Sequence, residues 1–148
     1  MRSFVRSLGI AGGFLVLAGV QNASAQVTDT VEFTTSFPFT VGHATVPAGS
    51  YTIKPDDDNP EFLQLRGTHT AVLFQTRNAQ ARETPSTTEV VFKRYGDGYV
   101  LKDIWVEGSN EGAETMAVEG AQHVAKDRDA EGEQRVAGRK RSNTSHGR

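Results

Sequence analysis

Residues 88–106 read TEVVFKRYGDGYVLKDIWV. Two runs rich in β-branched and aromatic residues flank Gly96-Asp97-Gly98, the pattern of a β-hairpin. The loop length follows from the pairing that each choice produces. A two-residue loop at Gly96-Asp97 sets Phe92 opposite Leu101 and Arg94 opposite Tyr99, and gathers Val90, Phe92, Tyr99, Leu101 and Trp105 on one face. A loop at Asp97-Gly98 sets Lys93 against Lys102 and Phe92 against Asp103, which is worse on charge and on burial. The first register is therefore expected, with Gly96 supplying the positive φ.

Outward from this hairpin the same texture continues. Short β-branched and aromatic runs alternate with turn residues, and no stretch sustains a helical period. The expected strands are 27–35, 44–46, 50–54, 62–66, 71–76, 88–95 and 99–106. This spacing predicts an all-β fold, a small antiparallel sandwich or partly closed barrel of about seven strands. In Val46-Pro47-Ala48-Gly49, Pro47 fixes φ at the second turn position and Gly49 suits the fourth. A type I turn should reverse the chain there, between the second and third of these strands.

Composition changes near Trp105. Residues 26–106 hold ten aromatic side chains and residues 107–148 hold none, so the first part can make a core and the second cannot make one alone. Three regions follow: 1–25, a β-rich domain at 26–106, and a polar low-complexity tail at 107–148 with a basic end. The tail is expected to be disordered or weakly helical. Ala113, Met116, Ala117, Gly120, Ala121 and Val124 share one face of a helix, but it is a face of small residues broken by glycine. Charge is segregated as well. Residues 134–148 carry five basic groups and no acid, whereas residues 26–133 carry nine basic and eighteen acidic groups. The basic end is suited to dock on the body or on an anionic surface elsewhere.

The first 25 residues have the layout of a cleavable signal peptide. Arg2 and Arg6 precede the apolar stretch LGIAGGFLVLAGV, and Ala23-Ser24-Ala25 precedes Gln26. Cleavage is expected after Ala25, with export by the general secretory route to the periplasm or the medium. The apolar stretch rises only about 20 Å as a helix, short of the ~30 Å membrane core. The mature chain has no further run of membrane length, so no transmembrane segment is expected in it. Of 148 residues none is cysteine. That excludes disulfides, Cys-ligated zinc, iron–sulfur clusters and thiol nucleophiles. A formal charge of -2 names no partner.

Three blocks carry a family resemblance: Phe37-Pro38-Phe39-Thr40-Val41-Gly42, then Val46-Pro47-Ala48-Gly49-Ser50-Tyr51, then Phe92-Lys93-Arg94-Tyr95-Gly96-Asp97-Gly98-Tyr99. In this order they resemble a family of small exported bacterial proteins of uncharacterised function, with an FPFxVG…PAGxY block and an FxRYGDxY hairpin. The resemblance implies a compact β-rich domain in the cell envelope or outside the cell. It implies no activity, ligand or site residue.

Chemistry-bearing patterns are sparse. His43, His69, His123 and His146 show no paired ligand spacing, and a metal site from His43 and His69 is weighed against solvated turn histidines, which are commoner. Asp56-Asp57-Asp58-Asn59 offers hard oxygens, making Asp56 and Asp58 the candidate metal ligands. It lacks the glycine and distal glutamate of a calcium loop, so a solvated turn between Pro55 and Pro60 is the expected reading. No nucleophile elbow and no phosphate-binding glycine loop occurs, and Asp97 and Asp103 stand at opposite ends of one strand. Arg94, Tyr95, Tyr99 and Trp105 are the candidate ligand-binding residues, weighed against a cross-strand ladder packed in the core.

The functional expectation is a non-catalytic, exported β-domain with a binding or structural role in the envelope. It needs no cofactor, and its partner is an envelope protein or an anionic polymer. Export makes nucleic acid an unsuitable partner for Arg139-Lys140-Arg141. Two alternatives come from other classes: a carrier holding a small apolar ligand inside a barrel, and a hydrolase with a dispersed site. Export predicts that protein recovered from the periplasm or medium begins at Gln26 on N-terminal sequencing. A cytoplasmic chain that keeps Met1 overturns it.

Overall fold

Two ten-residue strands turn the corners of this molecule. The computed structural model describes Val27, residues 29–116 and residues 131–141. In β6 (Ala71–Gln80) residues 71–75 pair with β5 (Phe62–Arg66), and residues 76–80 pair with β9 (Glu111–Thr115). In β10 (Gly132–Arg141) residues 132–137 pair with β7 (Glu89–Tyr95), and residues 138–141 pair with β1 (Thr30–Thr35). Each long strand thus leaves one sheet and enters another, which is how two sheets meet at a corner. With β4 (Gly49–Pro55) beside β1 and β5, and β8 (Gly98–Trp105) beside β7 and β9, the wall closes as β1-β4-β5-β6-β9-β8-β7-β10, antiparallel throughout. The all-β class expected from the sequence is what the chain adopts, as a closed eight-stranded barrel with two further strands.

Those two strands form a hairpin, β2 (Phe39–Val41) with β3 (Ala44–Val46), turned at Gly42 with φ 57°. β2 runs parallel to β8, meeting it at Thr40 and Val100. β9 takes the same edge of β8 further along, at Asp103–Trp105. Phe39 and Val41 point into the barrel and are almost fully buried. An eight-stranded barrel has an interior about wide enough for side chains to fill, and here they fill it. Val31, Ile53, Leu65, Val90, Phe92, Leu101 and Ile104 are at most 1% exposed. Phe92 lies 5.0 Å from Phe39, 5.2 Å from Phe37 and 6.2 Å from Phe33, ring to ring. Tyr51 joins the cluster at 5.3 Å from Phe39 and donates its hydroxyl proton to the Pro47 carbonyl. Burial holds that phenol above its ordinary pKa.

The expected hairpin register is present: Phe92 faces Leu101, Arg94 faces Tyr99, and Gly96 takes φ 58°. Trp105, however, leaves the expected face. The register shifts between Val91, which faces Asp103, and Phe92, which faces Leu101, so Lys102 is an extra residue in β8. A bulge of this kind reverses the alternation beyond it. Ile104 therefore enters the core and Trp105 goes to the outer wall.

The boundary at 106 also moves. β9 and β10 lie in the segment assigned to a polar tail, and Ala113, expected on a helical face, is a strand residue buried in the barrel. A strand paired on a pre-existing sheet needs no core of its own, since its ladder partners supply the buried face. Residues 117–130 and 142–148 lie outside the described residues, as do the signal-like stretch and its cleavage position at Ala25. In place of the expected type I turn, the chain bends at Ala48 between β3 and β4, and these are not paired neighbours: β3 pairs with β2, and β4 with β1 and β5. Among the described residues no helix is long and apolar enough to cross a membrane.

Replacing Phe92 by Ala removes the ring that three others pack against. It should lower the free energy of urea unfolding by about 3–5 kcal/mol. Leu73→Ala, at a side chain 52% exposed, should change it by less than about 0.5 kcal/mol.

Candidate functional site: a polar groove on the outer wall

The bulge in β8 does more than turn Trp105 outward. It places two sequence neighbours, Lys102 and Asp103, on the same face, where strict alternation would separate them. Lys102 Nζ lies 3.3 Å from Asp103 Oδ2 and reaches over β7 to Glu133 Oε1 on β10 at 2.8 Å. The carbonyls of the bulge are served from the opposite side. Thr115 Oγ1, on β9, lies 2.6 Å from the Leu101 carbonyl oxygen and 3.2 Å from that of Lys102, and donates to them. Among the described residues no buried side-chain polar atom lacks a partner.

Beyond the bulge, Trp105 pairs with Gly112 across β8 and β9. A methyl group at Gly112 would sit 2.4 Å from Trp105 Cε3, so the indole lies against the glycine backbone. The segment between β6 and β7 then forms a rim over this wall. Backbone bonds pin it to the β8–β9 turn: Ala81 N–H to the Asn110 carbonyl at 2.8 Å, and Gly108 N–H to the Pro85 carbonyl at 3.0 Å. Glu107 N–H donates to Thr88 Oγ1 at 3.1 Å.

Rim and wall enclose a groove of about 540 Å³ whose lining includes Arg82, Thr84, Ser86, Lys102, Asp103, Trp105, Glu133 and Arg135. Charges of both signs line it. Arg135 pairs with Glu89 at 2.9 Å, and Arg77 pairs with Glu114 at 2.9 Å on the strand next to Asp103. Lys102 holds the Glu133 carboxyl below its ordinary pKa, and Arg77 does the same for Glu114. Asp103 goes the other way. It is 7% exposed, and desolvation raises its pKa against the pull of Lys102, with Glu114 and Glu133 adding repulsion. One carboxyl shifted upward by burial thus stands beside carboxylates shifted downward by their cations.

The four residues expected to bind a ligand are not brought together. Arg94 is exposed and donates from Nε to the Gly96 carbonyl at 3.0 Å, closing its own turn. Tyr95 is the last residue of β7 beside that turn. Tyr99 stacks on Phe37 at 4.0 Å. Trp105 stands six residues further along β8, about 20 Å away. Of the four, Trp105 alone lines the groove. The two acidic candidates belong to the β4–β5 turn. Asp56 Oδ2 accepts from Asn59 N–H at 3.2 Å and Asp58 is exposed. His43 and His69 are both exposed in turns. No cluster of three metal-ligating side chains occurs among the described residues.

Lys102, Glu133 and Arg135 escaped the sequence reading, and Asp103 entered it only as a carboxyl too far from Asp97 to pair with it. The available signal was Lys102-Asp103 inside YVLKDIWV, two charges in succession where a strand should alternate. No protein-family model, curated protein or solved structure matches the chain.

The pKa directions fix how stability depends on pH. Glu32, Glu114 and Glu133 are lowered, so they stabilise the fold above the ordinary glutamate value and lose that contribution as pH falls through their folded values. Asp103 is raised, so its contribution is full below 3.8 and is lost as pH rises from there through its folded value. Asp103→Asn should abolish that second decline and leave the acid-side loss intact. Thermal melts across pH should show a Tm at neutral pH no lower than the parent's. A lower Tm would mean that the contact with Lys102 outweighs the burial cost.

Proposed function

We propose that this chain is an exported, non-catalytic binding module of the bacterial cell envelope, and that it takes a hydroxyl-rich ligand, a saccharide segment, in the groove beside Trp105. The observation carrying the reading is the indole seated on Gly112 within a groove of hydroxyl, carboxylate and guanidinium groups. The C–H face of a pyranose packs on an aromatic ring, while its rim of hydroxyls both donates and accepts, as such a mixed lining requires. The signal-like first 25 residues and the resemblance to exported bacterial proteins support the compartment.

The basic end supports an anionic polymer less well than its composition suggested. Arg135, Arg139, Lys140 and Arg141 each lie within 3.2 Å of a carboxylate of the body. Their charge is matched before any partner arrives. A groove lined by three cations and four carboxylates suits an uncharged ligand better than a polyanion. The apolar-carrier alternative has less support than the groove, because aromatic and aliphatic side chains occupy the barrel interior.

Trp105 is the one tryptophan of the chain, so fluorescence excited at the red edge, where tyrosine does not absorb, reports on the groove alone. Titration with oligomers of N-acetylglucosamine, maltose and alginate should give a saturable change in emission with an uncharged oligomer. Calorimetry on Trp105→Ala should show at least about a tenfold loss of affinity, roughly 1.4 kcal/mol, with its far-ultraviolet circular dichroism unchanged. Flat emission with every oligomer overturns the reading. Carboxyls whose pKa values are pushed in opposite directions, as at Asp103 and Glu133, are what a hydrolase would use, so the oligomers are weighed by mass spectrometry afterwards. Shortened products would replace binding by hydrolysis.

A further inference from the structure

β10 is built unlike the other strands of the barrel. Of its ten residues only Val136 and Gly138 are even partly buried. Its neighbours β1 and β7 carry Val31, Phe33, Val90 and Phe92 in the core and remain paired to β4 and β8 on their other edges. What holds β10 is therefore a backbone ladder and a set of charges. Arg139 and Arg141 grip Glu32 at 3.0 and 2.9 Å, Lys140 reaches Asp29 at 3.2 Å, Arg135 reaches Glu89 at 2.9 Å, and Glu133 takes Lys102 at 2.8 Å. Exposed pairs of this kind hold weakly one by one and are screened by salt.

Withdrawing β10 would thus take few core side chains with it and would leave β1 and β7 as two open edges, which are templates for strand addition. The vacated place has strict requirements. It favours a residue without a side chain at position 138, where a Cβ would lie a tight 3.2 Å from both Thr88 Cγ2 and Val31 Cγ1. It needs a cation opposite Glu32, another placed two residues from the position opposite Glu89 to reach it diagonally, and a modest apolar residue facing Val90. The segment that meets every requirement is the β10 of another copy of this chain. Sixteen residues separate β9 from β10 along the chain, and a chain of that length can span at most about 50 Å.

We propose that β10 is an exchangeable strand, and that two copies trade it reciprocally, each β10 closing the barrel of the other. Every ladder bond and ion pair of the closed monomer is recovered in the exchanged dimer, so the two differ in the path of the tether and in the entropy of association. Glu133 and Arg135 line the groove. In the exchanged dimer, each groove is therefore completed by the second copy.

The lack of cysteine makes the test clean. Lys93 and Glu133 are register partners on β7 and β10. Two single variants of the mature chain, Lys93→Cys and Glu133→Cys, are mixed in equal amounts at high concentration in 1 M salt, where the screening length is about 3 Å, and then returned to low salt under mild oxidation. Exchange predicts a disulfide-linked heterodimer well above the two homodimers, with native-like circular dichroism. It also predicts that parent chain mixed with its nitrogen-15-labelled form under the same regime gives mixed-mass dimers that persist on dilution. Monomer alone in the labelled mixture, or crosslinks in statistical proportion, overturns the proposal.

Discussion

An antiparallel wall must pair every backbone edge that it presents, and in this chain that requirement falls on two corners. β6 and β10 each give one half to one sheet and the other half to the next, and the barrel closes only because both do so. The aromatic interior depends on that closure. Phe33 and Tyr51 come from one sheet, Phe92 from the other, and Phe39 from the hairpin between them. Ring-to-ring packing of this kind requires walls held at a fixed separation.

The segregation of charge along the sequence acquires a structural meaning here. The body is acidic because its last strand is basic. Glu32 accepts two guanidinium groups from β10, and Asp29 and Glu89 accept one cation each. Charge complementarity contributes register where burial cannot, since a strand with little apolar content has no inward stripe to lock its position. The groove arises from the same economy of parts. One extra residue in β8 turns a tryptophan outward, sets two charges side by side and draws a carboxylate of β10 toward them.

What was legible in the sequence was whatever the aromatic residues marked. The strands at 44–46 and 62–66 coincide with β3 and β5, and the turn at Gly96-Asp97 falls where side-chain pairing placed it. β2 is three residues between Pro38 and Gly42, too short to show a period. β9 and β10 turn Ala113, Val136 and Gly138 toward the inside, so their inner face carries almost no signal in composition. The face of Trp105 was misread because the bulge is invisible to strict alternation. Of the groove only that tryptophan was singled out, and its charged members come from strands far apart in the chain, which no local spacing joins.

The pairing of Thr30 with Arg141 sets the order in which the molecule can mature. The first strand has one edge unpaired until almost the whole chain is present, and closure joins segments more than a hundred residues apart. Contacts of such sequence separation form late and slowly. A growing chain is therefore an open sheet, and the barrel is finished only after β10 has been made. A truncation ahead of Gly132 would leave a molecule that keeps most of its core residues and never reaches its closed state.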